Sequence, residues 1–125
     1  MKTVLVTGYN GFIGSNLIPE LQKKFHLIGI SKLKHSDINI KQIKHDISKN
    51  NIIQLPEKIS AIIHLAALTD VNFCQNNPEK AFVTNIQGTK QILELARKKD
   101  SNVIFLSTAH VFGKITKNPI GEKYE

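Results

Sequence analysis

Apolar and polar positions follow two alternating periods along this chain. Thr3 to Thr7 is a short β-branched run that ends at Gly8. From Phe12 to Phe25 the apolar residues Ile13, Leu17, Ile18, Leu21 and Phe25 fall at helical spacing. His26 to Ile30 returns to a strand pattern, residues 31 to 41 are polar and irregular, and Gln42 to His45 predicts a short third strand ending at Asp46. Residues 48 to 60, with Asn50, Asn51 and Pro56, predict a connection with little regular structure. Ala61 to Leu65 is apolar except for His64, the pattern of a strand buried on both faces. Pro78 to Lys99 carries Ala81, Phe82, Ile86, Ile92, Leu93, Leu95 and Ala96 and predicts one long helix. Asn102 to Leu106 predicts a fifth strand, and residues 113 to 125 read as loop. Strands alternating with helices imply parallel pairing through right-handed crossovers, hence an α/β, doubly wound sheet of order 3-2-1-4-5. Pro19 falls inside the first helix, where a proline removes a hydrogen bond and kinks the element.

The junction of the first strand and first helix carries the strongest chemistry. Thr7-Gly8-Tyr9-Asn10-Gly11-Phe12-Ile13-Gly14 spaces its glycines three apart. The first permits a tight turn out of the strand, the second lets backbone approach a pyrophosphate, and the third lets helix and sheet pack closely. A helix N-terminus then offers amide N–H groups and the positive end of its dipole to phosphate. Placed between a predicted strand and a predicted helix, this is a dinucleotide-binding signature and marks the sheet as Rossmann-type. Gly8, Asn10, Gly11, Phe12, Ile13 and Gly14 are its candidate ligand contacts. The second strand ends at Ser31, where binders of NAD commonly carry an acidic residue for the adenosine ribose. Ser31 brings no carboxylate to repel a 2′-phosphate, and Lys32 and Lys34 follow it. The cofactor is therefore NAD(P), with NADP slightly favoured.

Composition narrows the classes further. The chain has 125 residues, 41% hydrophobic and 22% charged, the balance of one globular domain rather than a disordered tail. No apolar run approaches the roughly 20 residues of a membrane helix, and the N-terminus has no signal-peptide pattern. Lys and Arg total 17 against 10 acidic residues, giving +7, but only Arg97 is an arginine. Dispersed lysines without arginine describe a solvated basic surface better than a nucleic-acid reader, so no nucleic acid is expected as a partner. The lone Cys74 excludes an internal disulfide and points to a reducing, cytoplasmic setting. His26, His35, His45 and His110 lack metal-ligand spacing, and His64 within an apolar strand reads as a buried, hydrogen-bonded histidine.

Five segments in order resemble the extended short-chain dehydrogenase/reductase family of NAD-dependent epimerases and dehydratases. Thr7 to Gly14 resembles its TGxxGxxG signature. His45-Asp46-Ile47 resembles the acidic-hydrophobic pair that contacts adenine, which makes Asp46 and Ile47 candidates. His64-Leu65-Ala66-Ala67 resembles the segment beside the pyrophosphate and nicotinamide ribose, adding Leu65, Ala66 and Ala67. Asn85, within Asn85-Ile86-Gln87-Gly88-Thr89, resembles the Asn of an N-x-x-G-T helix pattern. Ser107-Thr108-Ala109-His110-Val111-Phe112-Gly113 resembles the segment after the fifth strand. The 66–71 and 107–112 segments are most similar to the sugar-nucleotide branch containing dTDP-4-dehydrorhamnose reductase, which usually has Asp-Tyr where this chain has Ala109-His110.

The resemblance implies hydride transfer at a sugar carbon of a nucleotide sugar. It assigns Thr108 as the hydroxyl that hydrogen-bonds the substrate oxygen, beside a tyrosine that exchanges the proton and a lysine four residues later. Neither partner is identifiable: Tyr9 lies in the glycine loop, and Tyr124 precedes only Glu125. Ile120-Gly121-Glu122 resembles a segment that comes shortly before the catalytic tyrosine. The expectation is thus an N-terminal NAD(P)-binding domain over residues 1–125, truncated after the fifth strand and without the substrate domain. Such a piece binds dinucleotide without turnover, and the 78–99 helix offers a face for a homodimer. A non-catalytic dinucleotide-binding or regulatory protein of the same fold is the alternative.

Overall fold

The computed structural model describes residues 1–51, 53–114, 119 and 121–123. Five parallel strands form one sheet in the order β3-β2-β1-β4-β5, as the alternation of elements predicts. They are β1 (Thr3–Thr7), β2 (His26–Ser31), β3 (Lys41–Lys44), β4 (Ala61–His64) and β5 (Asn102–Phe105). The central strand β1 sets Val6 opposite Gly29 of β2 and opposite Ile63 of β4. Both faces of the middle strands are covered. Val4, Val6, Leu27 and Ile63 pack with Ile18 of helix α1 (Phe12–Leu21) on one side. Leu5, Ile28, Ile30 and Ile62 pack with Ile92, Leu95 and Ala96 of helix α4 (Thr89–Lys99) on the other. This double covering explains why β1, β2 and β4 read as apolar runs rather than alternating ones.

Two elements depart from their predicted form. Helix α1 stops at Leu21, short of Phe25; the Phe25 amide donates to the Leu21 carbonyl at 2.9 Å, and the tightened turn still brings Phe25 against the α1-side core. Pro19 lies inside the helix, as read. The long helix predicted over residues 78–99 is three pieces on one helical path: α3 (Pro78–Phe82), a π-helical turn (Val83–Gly88) and α4. It is preceded by the short helix α2 (Val71–Asn76), which Asp70 caps by accepting from the Phe73 amide at 2.6 Å. At the end of the wide turn stands Gly88, where a Cβ would lie 3.0 Å from Ile47 Cδ1 and 3.1 Å from its carbonyl oxygen. The backbone there presses on the loop after β3. Such turns recur where a helix must aim one side chain out of register.

Candidate functional site

The loops that carry the candidate residues gather at the carboxyl edge of the sheet, around β1 and β4, where open α/β sheets place their sites. Gly8 leaves β1 with φ +67, and a Cβ on it would sit 2.8 Å from the Ala66 amide nitrogen. It is therefore glycine for two reasons, the turn and the close approach of the β4 loop. Gly11 is different. Its φ is −75, and a Cβ would meet only the Gly8 carbonyl at 3.3 Å, so nothing in the protein strictly requires a glycine there. Gly14 corrects one expectation: a Cβ on it would collide with the Gly8 and Tyr9 carbonyls at 2.5 and 2.6 Å. The third glycine seats the helix on its own turn rather than on the sheet.

No side chain caps the start of α1. The first-turn amides, those of Phe12 and Ile13 among them, have no acceptor within the helix and form a ready anion site. Facing them, Leu65, Ala67 and Thr69 of the β4 loop close a groove with Gly8, Gly11 and Gly14. Leu68, next along the same loop, lines a second cleft with Lys32, Ser48 and Thr84. The loop 65–69 is thus a wall shared by both cavities. Asn85, read as a cofactor contact, spends its side chain on that wall: Oδ1 accepts from the Leu68 amide at 2.7 Å and Nδ2 donates to the Leu68 carbonyl at 2.9 Å.

The residues expected at the adenosine end lie after β2 and β3. Ser31 closes β2, and its hydroxyl lies 3.4 Å from the Leu33 amide that donates to it. Lys32 reaches toward Asp46, with Nζ 4.0 Å from Oδ2. Asp46 Oδ1 accepts from the Ser48 amide and hydroxyl at 2.9 and 2.7 Å. Burial raises the Asp46 pKa, but the Ser48 hydrogen bonds and the ammonium groups of Lys32 and Lys49 outweigh it and hold the carboxyl below its ordinary value. Ile47 is buried in the α4-side core. Lys34 is exposed. Asn10 Nδ2 donates to His35 Nε2 at 2.6 Å, tying the glycine turn to the loop after β2.

Tyr9 is the residue that sequence reasoning undervalued. It is fully buried, its ring lies where a Cβ on Gly29 would be 2.5 Å from Cδ1, and its hydroxyl donates to Gln42 Oε1 at 2.7 Å. The Gln42 carbonyl oxygen also accepts from the His35 amide, and Nε2 donates to the His35 and Ile38 carbonyls. Burial pushes the Tyr9 phenol pKa up, against a smaller opposing effect of a backbone hydrogen bond at His35, so the group stays protonated. The signal for this role was the glycine opposite an aromatic, legible only once strands are paired. Thr108 stands after β5, exposed, and its hydroxyl accepts from the His110 amide at 3.3 Å. Ile120 and Tyr124 lie outside the described residues. Among the described residues no cluster of three or more His, Cys, Asp or Glu could hold a metal, and no helix is long and apolar enough to cross a membrane.

Comparison with known proteins agrees with this geometry. The chain is 38% identical to UDP-N-acetyl-alpha-D-glucosaminuronate decarboxylase of Bacillus cytotoxicus, over 92% of its own length and 39% of that protein. It is 35% identical to dTDP-D-glucose 4,6-dehydratase of Dictyostelium discoideum, over 90% of itself and 30% of the relative. A UDP-glucose-4-epimerase from Stenotrophomonas maltophila, solved with NAD and formylated UDP-arabinopyranose, superimposes with a TM-score of 0.82 at 26% identity, covering 98% of this chain and 42% of that one. The chain therefore spans about two fifths or less of the length of these proteins. The model of the NAD dependent epimerase/dehydratase family matches residues 4–125, and the chain belongs to that family.

Proposed function

We propose that this chain is the dinucleotide-binding part of an NAD(P)-dependent enzyme acting on a nucleotide sugar. The observation that carries the reading is the uncapped start of α1 behind the Gly8–Gly11–Gly14 turn, facing the 65–69 loop across a groove. The residues fit the cofactor. The Phe12 and Ile13 amides take the pyrophosphate, Asp46 and Ile47 flank the adenine, and Leu65, Ala66 and Ala67 border the nicotinamide ribose. The dinucleotide, when bound, supplies hydride transfer. Thr108 is proposed to hold the substrate oxygen, with the proton-exchanging tyrosine and its lysine in a longer parent protein. Ser31 and Lys32 favour NADP: residue 31 itself brings no carboxylate against a 2′-phosphate, and the Lys32 side chain is exposed, its ammonium held only loosely by Asp46 at 4.0 Å. The reductase-like branch is the finer reading and rests on residues 66–71 and 107–112.

The test is a fluorescence titration of NADH and NADPH into the chain, with Gly11→Ala beside it. Wild type binds one or both. A methyl at Gly11 meets only the Gly8 carbonyl, at 3.3 Å, so the variant melts near the wild-type temperature yet binds at least about tenfold more weakly. No binding by wild type overturns the cofactor reading. Equal or tighter binding of NADH overturns the preference for NADP.

A further inference from the structure

A closed circuit of hydrogen bonds runs behind the 65–69 loop and has His64 at its centre. Thr7 and His64 are partners in the β1–β4 register, and both side chains sit on the face toward α4. His64 is 2% exposed, with the Phe105 ring stacked on it at 6.0 Å. Thr7 Oγ1 accepts from the Leu65 and Ala66 amides at 3.2 and 3.1 Å. The Leu65 amide is shared with the Thr7 carbonyl, also at 3.2 Å; Oγ1 thus accepts from the loop, and its own proton goes to His64 Nδ1, 2.7 Å away. Nδ1 is therefore bare and Nε2 carries the proton, which it donates to Thr89 Oγ1 at 2.9 Å. The Thr89 hydroxyl donates to the Asn85 carbonyl at 2.7 Å. The Asn85 side chain returns to the loop, holding both backbone groups of Leu68.

The circuit starts on the loop at Leu65 and Ala66 and ends on it at Leu68. The neutral Nε2–H form of His64 gives the Thr7, His64 and Thr89 protons each an acceptor within the circuit. Burial favours the neutral imidazole over the charged one by lowering its pKa. The loop it holds is the wall shared by the glycine groove and the cleft at Lys32 and Ser48. Ala66 is also the residue that Gly8 approaches most closely.

We propose that His64 is a positioning residue for the dinucleotide: as its Nε2–H tautomer it joins Thr7 to Thr89 and fixes the 65–69 loop against the glycine turn. The proposal rests on the dinucleotide reading above. His64→Phe keeps the shape of the ring and breaks both ends of the link. Thr89→Val breaks the far end and leaves His64 in place, and Thr89→Ser restores the hydroxyl.

The experiment combines NADH and NADPH titrations, run well below each variant's melting temperature, with nitrogen NMR of the imidazoles and amides of the free chain. The expected result is a dissociation constant raised about tenfold or more in His64→Phe and several-fold in Thr89→Val, with Thr89→Ser close to wild type. The His64 nitrogens should report Nε2–H, and the Leu65, Ala66 and Leu68 amide signals should move in His64→Phe and Thr89→Val. A role confined to stability would lower the melting temperature and leave the affinity of the folded variants unchanged. Undiminished binding by folded His64→Phe, or an Nδ1–H tautomer in wild type, overturns the proposal alone. Failure of wild type to bind either dinucleotide overturns the cofactor reading and the proposal together.

Discussion

Single atoms separate the three glycines of the turn. Gly8→Ala would force a side chain into a left-handed backbone and onto the Ala66 amide at 2.8 Å. Its expected cost is about 2 kcal/mol or more in unfolding free energy, read from denaturant melts. Gly11→Ala should stay within about 1 kcal/mol of wild type in the same melts, because its Cβ meets only one carbonyl at 3.3 Å. The local spacing made this turn legible from sequence, since all its parts lie within a few residues. His64 was legible as buried and hydrogen-bonded, but not its partners. Its partners Thr7 and Thr89 are 57 and 25 residues away, and no local pattern announces them. Its pKa has a further consequence. Burial lowers both His64 and His45 from 6.5, opposed at His45 by the Asp46 carboxylate. Folding thus favours their neutral forms: the stability they contribute is complete above the unfolded value of 6.5 and is lost as pH falls through the depressed folded values. Asp46 acts in a lower window, contributing above 3.8 and losing its share as pH falls through its depressed value. Urea midpoints should therefore fall between about pH 7 and about pH 5, with a shallower slope in His64→Phe.

Helix α1 carries Pro19 without help from the sequence around it. The missing amide leaves the Ser15 carbonyl without its normal helical donor, and both residues are exposed. Pro19→Ala should stabilise the chain by about 1 kcal/mol, a fraction of the ~3 kcal/mol for an ideal interior. A melting temperature that fails to rise would show that the helix is already relaxed around the ring. The strands were the most readable elements, because β1, β2 and β4 are covered on both faces and their apolar runs say so. The π-helical turn was not readable. Its residues keep helical periodicity, and the extra width answers contacts made elsewhere, with Ile47 against Gly88 and with Leu68 through Asn85. Helix packing was visible in the spacing of Ile92, Leu95 and Ala96; the widening needed the tertiary neighbours.

At the scale of the whole molecule, the uneven covering of the sheet is the leading feature. Ile104, Phe105 and Leu106 are 59%, 56% and 53% exposed, and a groove runs from Ile104 past Ile63 to Leu21 and Phe25. Apolar surface of this kind associates. The chain by itself should bind an apolar dye and self-associate with concentration, and Ile104→Lys should reduce both while leaving dinucleotide affinity within about twofold. Dye binding unchanged in Ile104→Lys would place the sticky surface elsewhere. The order of the sheet was legible from the alternation of elements, but this asymmetry was not, since β5 reads as apolar as the buried strands. A different kind of coupling spans the molecule at Gln42. One amide group joins the phenol of the glycine turn to the loop that follows β2. The glycine turn and the loop after β2 are therefore mechanically a single part. Any exchange of residues 32–40 in this chain must keep the His35 and Ile38 backbone where the Gln42 side chain can reach it. A loop that misplaces that backbone leaves Gln42 half-paired beneath the Tyr9 phenol, at about 1–3 kcal/mol, and is cut loose from the turn it was meant to serve.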